Sequence, residues 1–252
     1  MKYQKPDDYI IYNADIPKID TLASDSKAQK YKFSFNSEVE NGCFLRGENI
    51  VFTKGGNEEF IFYIGRISLI GEHNLYNVMA AMIASIIVGV DYEDLEKGMA
   101  RFKPLEGRLE KVGVYNSVLF VNDTLATIPD ATIAALKSFE GKNLTLILGG
   151  FDRGVDFDTL GKDLSNKENV MKVILVGQTA PIIKKSLKKY KYKGEIYDMG
   201  TSKMSEVVKF ASKISERQSV VLLSPASTSF DMFNDYKDRG DQFKKAVLEL
   251  RA

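Results

Sequence analysis

The sequence predicts an α/β fold of two units, on three observations. Beyond Glu110, apolar strand-like runs alternate with helical stretches, which is the pattern of a parallel sheet covered by helices. Before that point, short strand-like runs separated by Gly, Asn and Asp lead into two helices, as expected of antiparallel strands. The 252 residues suffice for one large domain or two of ordinary size, and we expect two.

The first unit is predicted to contain four strands followed by two helices. The strand-like runs are residues 9–13, 30–35, 49–52 and 59–64. Residues 75–88 are apolar on most faces and predict a buried helix, whereas residues 91–102 predict an amphipathic one. The helix breakers in residues 103–107 indicate a hinge between the two units.

The second unit is predicted to alternate four strands with five helices. The strands are residues 118–121, 144–148, 173–176 and 220–223. The helices are residues 128–139, 157–165, 180–190, 202–215 and 240–250, with Pro129 suited to the first turn of the first helix. Ligands of open α/β sheets bind at the carboxyl ends of the strands, so a site is expected in the loops that follow them.

Composition excludes several classes of protein. A hydrophobic content of 44%, a charged content of 27% and a net charge of +1 are typical of a soluble globular protein with no nucleic-acid or membrane partner. The amino terminus has no apolar core of a signal peptide, and a cytoplasmic location is expected. One cysteine, Cys43, and one histidine, His73, exclude disulfides and multi-histidine metal sites, and leave any Cys–His or Ser–His catalysis dependent on His73.

The most informative stretch is residues 224–243, SPASTSFDMFNDYKDRGDQF, directly behind the last predicted strand. Its hydroxyl groups and freed backbone N–H groups can receive a carboxylate or a phosphate. The hydroxyl side chains at the strand end are Ser224, Ser227, Thr228 and Ser229, and an Asp-Arg-Gly turn is expected further on. The alternative is a loop that only caps the next helix.

Three shorter segments and one arginine are further candidates. In residues 71–77, GEHNLYN, two asparagines one helical turn apart can face a nucleotide together, or one can cap the helix. Residues 121–127, VNDTLAT, place Asp123 behind a strand to meet a ribose, a cation or an arginine, or to cap a turn. Residues 148–154, LGGFDRG, combine glycines that allow close approach with the forked cation of Arg153, or form a plain turn. Arg108 at the hinge could contact an anionic ligand or pair with a neighbouring glutamate.

Two nucleotide-binding fingerprints are missing from these residues. The sequence contains neither the phosphate-loop pattern G-x-x-x-x-G-K-[ST] nor the dinucleotide pattern G-x-G-x-x-G. The residues alone therefore indicate two α/β-like units and a site for an anionic small molecule.

Five segments in this order resemble the Mur ligases. They are GEHNLYN at 71–77, EGRLE at 106–110, NDTLAT at 122–127, LGGFDRG at 148–154 and LLSPASTSFDMFNDYKDRGDQF at 222–243. The likeness covers nearly the whole chain and is greatest to the branch that adds glutamate to UDP-N-acetylmuramoyl-L-alanine. In that family three domains bind, in order, the UDP-sugar, ATP and the incoming amino acid.

The resemblance implies which part of the family this chain represents. Residues 1–109 would be the rear part of the central ATP-binding domain without its phosphate loop, and residues 110–252 a Rossmann-like carboxyl-terminal domain with a mainly parallel sheet. The intact protein would be an ADP-forming acid–amino-acid ligase of peptidoglycan synthesis, serving cell-wall biogenesis, cell shape and cell division. It would use ATP and Mg²⁺ and act as a monomer, and the 252-residue chain alone is expected to be inactive.

The resemblance also implies roles for individual residues. Those expected to contact ATP are Asn74, Asn77, Arg108 and Asp123. Those expected to surround glutamate are Thr127, Arg153, Ser229, Phe230 and Tyr236, with Arg153 and Ser229 taking its side-chain carboxylate. No catalytic residue is assigned, and no metal ligand is expected among these residues.

The chain departs from the familiar pattern at four positions, Gly107, Leu125, Ile128 and Arg153. Leu125 stands where these ligases commonly have a lysine, so the chain lacks that cation. Some relatives with a similar segment add L-glutamate, so the configuration of the glutamate, D or L, remains open. The alternatives are a non-catalytic module that binds a nucleotide or an amino acid, and a fragment of a folylpolyglutamate-synthetase-like ligase. A dehydrogenase fits less well, because the glycine fingerprint is absent.

Overall fold

The computed structural model describes residues 3–67, 69, 71–103 and 105–250, without the side chains of Glu72 and His73. The expectation that any histidine-dependent chemistry would use His73 therefore concerns a side chain outside the described residues. The chain divides into two compact units, Met1–Lys103 and Pro104–Ala252, each built of helices and a sheet. The predicted α/β class is confirmed.

The first unit holds a mixed five-stranded sheet. Its elements are β1 (Tyr9–Asn13), α1 (Pro17–Ser24), β2 (Gln29–Ser34), β3 (Gly42–Arg46), β4 (Asn49–Lys54), β5 (Asn57–Tyr63), a 3₁₀ turn (Ile64–Arg66), α2 (Glu72–Ile87) and α3 (Tyr92–Arg101). The strands lie in the order β1-β2-β3-β4-β5. The first three run parallel, and β3, β4 and β5 are antiparallel hairpin neighbours.

The prediction of purely antiparallel strands is therefore wrong for this sheet. The sequence interpretation missed α1, and a helix between two strands provides the crossover that lets β1 and β2 run in the same direction. It also missed β3, because its sequence GCFLR shows neither a polar–apolar alternation nor an apolar run uninterrupted by glycine or a charge.

Helix α2 forms the core of the first unit against the sheet. Met79, Met82 and Ile83 are fully buried and pack against strand residues that include Phe52. The predicted buried helix is confirmed, and its apolar residues cover one face of the sheet as layered α/β packing requires. Cys43 of β3 lies in the same cluster, where burial raises the pKa of its thiol well above the ordinary range.

The second unit holds a six-stranded sheet flanked by helices. Its elements are β6 (Glu110–Tyr115), β7 (Val118–Asn122), α4 (Pro129–Lys137), β8 (Leu144–Gly149), α5 (Asp158–Ser165), β9 (Val170–Val176), α6 (Ala180–Lys189), β10 (Glu195–Asp198), α7 (Met204–Ile214), β11 (Val220–Leu223) and α8 (Tyr236–Glu249). The strands lie in the order β10-β9-β8-β11-β7-β6. All neighbours are parallel except β6 and β7, which form a hairpin.

The four predicted strands of this unit are present, and the two edge strands are additional. β10 and β6 are partly exposed and carry charged residues, so they lack the apolar run that marks a central strand. Every residue of β8 and β11 is buried, as expected for strands covered on both faces. Helices α7 and α8 close one face, with Phe243 of α8 against Phe120 of β7. No described helix combines the length and the apolar composition needed to cross a bilayer.

Candidate functional site

Three loops of the second unit meet where neighbouring parallel strands end. β7, β11 and β8 are adjacent in the sheet, and their carboxyl ends lead into residues 123–128, 224–235 and 150–157. Each of these loops contains one of the segments singled out in the sequence. The parallel sheet therefore brings together residues that are about a hundred positions apart in the chain, at the edge where such sheets bind ligands.

A chain of buried hydrogen bonds joins the two loops that follow β7 and β11 in the sequence. The Ser224 hydroxyl donates to Asp123 Oδ2 at 2.7 Å, and it also lies 3.1 Å from the hydroxyl of Thr132 on α4. Thr132 Oγ1 in turn donates to the Ser224 carbonyl at 3.0 Å. These bonds occupy side chains that the sequence offered as possible ligand contacts, so Ser224 organises the loop from inside.

Asp123 also fixes the segment that precedes β6. Its Oδ1 accepts the backbone N–H of Leu109 at 3.2 Å, and Leu109 has a positive φ of 45°. Burial raises the pKa of Asp123 to about 6, while the hydrogen bonds from Ser224 and Leu109 and the charge of Arg108 act to lower it. The Arg108 side chain itself is exposed. The charge of Arg108 thus acts on Asp123 through space, and the predicted role of both residues toward ATP remains a prediction.

The glycine pair behind β8 permits a close backbone contact with the loop behind β11. Phe151 pairs with Thr228 in an isolated antiparallel bridge, with its N–H donating to the Thr228 carbonyl at 2.8 Å. Gly150 has a φ of 152°, and a Cβ there would lie 2.2 Å from the Thr228 carbonyl oxygen. Only glycine fits at this position, because any side chain would force the two loops apart. Gly150 therefore serves loop-to-loop packing, whereas a Cβ at Gly149 would lie 1.9 Å from the Val176 carbonyl oxygen of β9.

Two hydroxyl groups at this junction lack a hydrogen-bond partner. Thr228 Oγ1 and Ser229 Oγ are both buried and bond to no described group. By contrast, Ser227 Oγ lies 3.0 Å from Thr179 Oγ1, which also contacts the backbone of Gly150. Buried polar groups are nearly always paired, so these two adjacent unpaired hydroxyls are candidates for bonds to a polar ligand or to water.

Arg239 is a functional candidate that the sequence interpretation missed. Its side chain is 1% exposed and donates to Thr124 Oγ1 at 2.9 Å, to the Thr124 carbonyl at 2.9 Å and to the Ser227 carbonyl at 3.0 Å. The expected Asp-Arg-Gly turn is wrong, since these residues lie inside α8, which begins at Tyr236 rather than at Gly240. A charged residue in a polar motif gives no sequence signal of burial, so this role could not be read from the sequence.

The remaining predicted glutamate contacts lie on the same three loops or at the start of α8. Phe230 follows Ser229, is 63% exposed, and meets Phe151 edge-on at 6.5 Å between ring centroids. The Tyr236 carbonyl accepts the Thr124 hydroxyl at 2.9 Å, while its side chain is exposed. Arg153 is exposed and Thr127 is half-buried. The structure thus places all five predicted residues at one edge of one sheet, and their roles remain predictions.

The two asparagines predicted to face ATP lie in the first unit. They occupy the first turns of α2, where Asn77 Nδ2 donates to Asn74 Oδ1 at 3.4 Å. Their amides therefore lie on the same side of the helix, as their spacing predicts. Within the described residues, no group of three or more His, Cys, Asp or Glu could hold a metal ion.

Chemically, the loop junction of the second unit suits a small anion with further polar groups. It offers unpaired hydroxyls, an exposed arginine and aromatic side chains around loops joined by a backbone bridge. Such groups can hold and orient a carboxylate through charge-assisted hydrogen bonds.

Two family descriptions match the chain. Residues 1–85 match the family described as "Mur ligase middle domain", and residues 107–227 match that described as "Mur ligase, glutamate ligase domain". The two matches follow the order expected from the sequence resemblance.

Curated relatives match over nearly the whole chain. The UDP-N-acetylmuramoylalanine–D-glutamate ligase of Thermoanaerobacter sp. (strain X514) is 39% identical over 249 residues, which are 98% of this chain and 54% of the relative. The enzyme of the same name from Christiangramia forsetii is 40% identical over 251 residues, again 98% of this chain and 54% of the relative. The chain therefore spans about half the length of the curated relatives it matches.

Solved structures share the fold. A pseudomurein peptide ligase type C from Methanothermus fervidus superimposes with a TM-score of 0.63 at 15% identity, covering 95% of this chain and 56% of that one. UDP-N-acetylmuramate-alanine ligase from Thermotoga maritima gives a TM-score of 0.60 at 15% identity, covering 92% and 54%. At this identity the likeness concerns the fold alone.

Proposed function

Because this chain belongs to the Mur ligase family, we propose that it forms part of an ADP-forming ligase that joins D-glutamate to UDP-N-acetylmuramoyl-L-alanine. The names of the relatives support both the acceptor and the D-configuration, which the sequence left open. The chain spans about half of those relatives, so the activity is proposed for the whole protein. A reaction that uses ATP and a UDP-sugar goes with a cytoplasmic location.

One observation carries the assignment of the glutamate site to the second unit. The unpaired hydroxyls of Thr228 and Ser229 lie where the loops behind β8 and β11 are joined, at the carboxyl edge of the sheet. A ligand carboxylate can accept from both hydroxyls and remove the cost of leaving them unpaired. The domain description that names glutamate ligation matches residues 107–227, which include β8 and β11 and end immediately before Thr228.

Besides the Thr228 hydroxyl, we assign polar contacts with glutamate to three of the predicted residues. Arg153 and Ser229 would take the side-chain carboxylate, because the Phe151–Thr228 bridge joins their two loops. Thr127, on the loop that follows β7, would contact the other end of glutamate, which carries the α-amino and α-carboxyl groups. Phe230 and Tyr236 would form apolar walls, since both rings are exposed near the loop junction. This arrangement would hold the glutamate amino group toward the activated carboxyl group of the acceptor.

The chemistry of the family reaction asks mainly for positioning. ATP phosphorylates the acceptor carboxylate, and the glutamate amine displaces phosphate from the acyl phosphate to form the amide. Holding the amine in a fixed orientation makes this step effectively unimolecular, which is where binding residues contribute to rate. Asn74, Asn77, Arg108 and Asp123 are our candidates for nucleotide contacts.

Mg²⁺ would neutralise phosphate charge in this reaction when bound. The described residues offer no cluster of three or more acidic, histidine or cysteine ligands for it. We therefore assign no step of the mechanism to a metal held by these residues.

The assignment is tested by measuring D-glutamate binding to the 252-residue chain by NMR titration. Arg153→Ala should weaken binding roughly tenfold or more, as expected for the loss of a charge-assisted hydrogen bond. Arg217→Ala is the matched control, because Arg217 is an exposed arginine at the opposite, amino-terminal end of β11. Equal affinities in all three proteins would contradict the assignment of Arg153. A wild-type chain with no glutamate affinity would contradict the glutamate site.

A further inference from the structure

The cation of Arg239 is buried beneath the loop junction of the second unit. Its guanidinium reaches from the first turns of α8 to the loop behind β7 at Thr124 and to the loop behind β11 at Ser227. A Cβ at Gly150, on the third loop, would lie 3.2 Å from its Nη1. One side chain therefore touches or adjoins all three loops that form the candidate site.

All three hydrogen bonds of this guanidinium go to neutral oxygens. Their acceptors are one hydroxyl and two backbone carbonyls. Among the described residues no carboxylate forms a salt bridge with Arg239, and Asp231 acts on it only at longer range. Burial lowers the pKa of Arg239 to about 10, against the opposing effect of Asp231, so the group still carries its charge at neutral pH.

A buried charge without a paired counter-ion is costly for a folded protein. Desolvation of such an ion costs several kcal/mol or more, and neutral dipoles offset only part of it. Asp231 compensates this charge only in part, because it acts on Arg239 without forming a salt bridge with it; its Oδ2 accepts the Gln178 N–H, and its Oδ1 is buried without a described partner. The loop junction is therefore a place where an external negative charge would be stabilised.

The position of the charge relative to the unpaired hydroxyls makes a ligand the natural source of that negative charge. Nη1 donates to the Ser227 carbonyl, immediately before Thr228 and Ser229 in the chain. Both hydroxyls can donate to an anion, while the cation behind them acts through a low-dielectric interior. Oxygen atoms of a neutral ligand could use the hydroxyls equally well, but would gain less from the cation.

We propose that Arg239 is a positioning residue whose buried charge makes the Thr228–Ser229 site prefer an anionic amino-acid side chain over a neutral one of the same shape. This inference rests on the proposed glutamate site and adds the origin of its charge preference. The competing explanation is that Arg239 only ties the loops together through its hydrogen bonds. The two explanations differ for variants that separate charge from hydrogen bonding.

The test compares dissociation constants for D-glutamate and D-glutamine, measured by NMR titration of the 252-residue chain. Arg239→Gln keeps an N–H donor and removes the charge, and should reduce the preference for glutamate over glutamine roughly tenfold. Arg239→Lys keeps the positive charge but loses the planar guanidinium with its several N–H donors. It should retain most of the preference for glutamate over glutamine, even if both ligands bind less tightly. Arg217→Gln, which removes an exposed arginine charge, should leave the preference unchanged.

A second variant does not depend on Arg239 tolerating substitution. Asp231→Asn keeps an oxygen that can accept from Gln178 but removes the charge that opposes Arg239, so the preference for glutamate should increase a few-fold. Equal weakening of both ligands by Arg239→Gln, or an unchanged preference in Asp231→Asn, would overturn the inference while leaving the glutamate site in place. Failure of the wild-type chain to bind glutamate would instead contradict the proposed function itself.

Discussion

Asp123 is a carboxyl group held in two hydrogen bonds inside a site where its charge is disfavoured. Its two oxygens accept from Ser224 and Leu109, yet burial dominates and raises its pKa from 3.8 to about 6. The native state therefore binds the proton more tightly than the unfolded chain does. Between about pH 4 and 6 the unfolded state has lost this proton while the native state keeps it, so this group makes stability fall as pH rises.

Asp123→Asn should remove that pH dependence and stabilise the second unit at neutral pH. An asparagine oxygen can still accept from Leu109, and its amide can donate to the Ser224 oxygen. We expect a gain on the order of 1–3 kcal/mol in the free energy of unfolding at pH 7 and a much smaller difference near pH 4.5. Urea unfolding at both pH values measures this.

The control for this experiment is Asp152→Asn, which removes a negative charge from an exposed position in the same unit. It should leave the free energy of unfolding within about 0.5 kcal/mol of wild type at both pH values. If Asp123→Asn changed stability by the same amount at pH 4.5 and pH 7, the raised pKa would not be the cause.

At the residue scale, sequence could indicate chemistry where a polar side chain follows an apolar strand. Ser229 was predicted on that ground, and the structure places it at the loop junction with an unpaired hydroxyl. Arg239 could not be found in this way, because its importance comes from burial among loops that are distant in sequence. Ser224 was offered as a possible ligand contact, yet its hydroxyl is used internally, and sequence carries no record of such pairing.

At the scale of elements, the first turns of α8 lie so close to the end of β7 and the loop that follows it that they limit which side chains α8 can carry there. Gly240 lies in the helix interior, where alanine would ordinarily be favoured by about 1 kcal/mol. A Cβ at this position would lie 2.9 Å from Thr124 Cγ2 and 3.0 Å from Asn122 Nδ2. The clash should outweigh the helix preference.

Gly240→Ala is therefore expected to destabilise the protein by about 1–3 kcal/mol, as typical overpacking does. Gly98→Ala is the matched control, because Gly98 lies in α3 with nothing near its added Cβ, and should stabilise by about 0.5–1 kcal/mol. Thermal and urea unfolding of both variants provide the comparison. A stabilising effect of Gly240→Ala would show that α8 can move away from the loop.

The elements that sequence predicted are those with a strong periodic or continuous apolar signal. β8 and β11 are fully buried and were predicted within one residue of their observed ends. The short helix α1 and the edge strands β6 and β10 were missed, because a half-exposed element of few residues shows no distinct pattern. Strand direction in the first unit was wrong as a consequence, since direction depends on the connection that α1 provides.

At the scale of the whole molecule, each unit has its own hydrophobic core. Met82 is fully buried in the cluster of the first unit, and Phe243 is fully buried in the cluster of the second. Truncation of such a side chain costs about 2–5 kcal/mol, because it leaves a cavity as well as losing burial. This loss of stability should first affect the unit that contains the cavity.

Met82→Ala and Phe243→Ala form a reciprocal pair for testing this. In hydrogen exchange followed peptide by peptide, Met82→Ala should reduce protection in β4 and α2, and Phe243→Ala should reduce it in β7 and α8. Each variant serves as the control for the other. The same uniform loss of protection throughout the chain in both variants would contradict two separate cores.

Cys43 has a practical consequence that follows from its burial in the first unit. It is the only cysteine of the chain, it is 0% exposed, and its thiol has a raised pKa, so it should react slowly with maleimides in the folded protein. A new cysteine at an exposed position such as Ile128, next to Thr127, would then accept a fluorescent dye selectively. The chain thus permits an optical reporter at the candidate site without first replacing a native thiol.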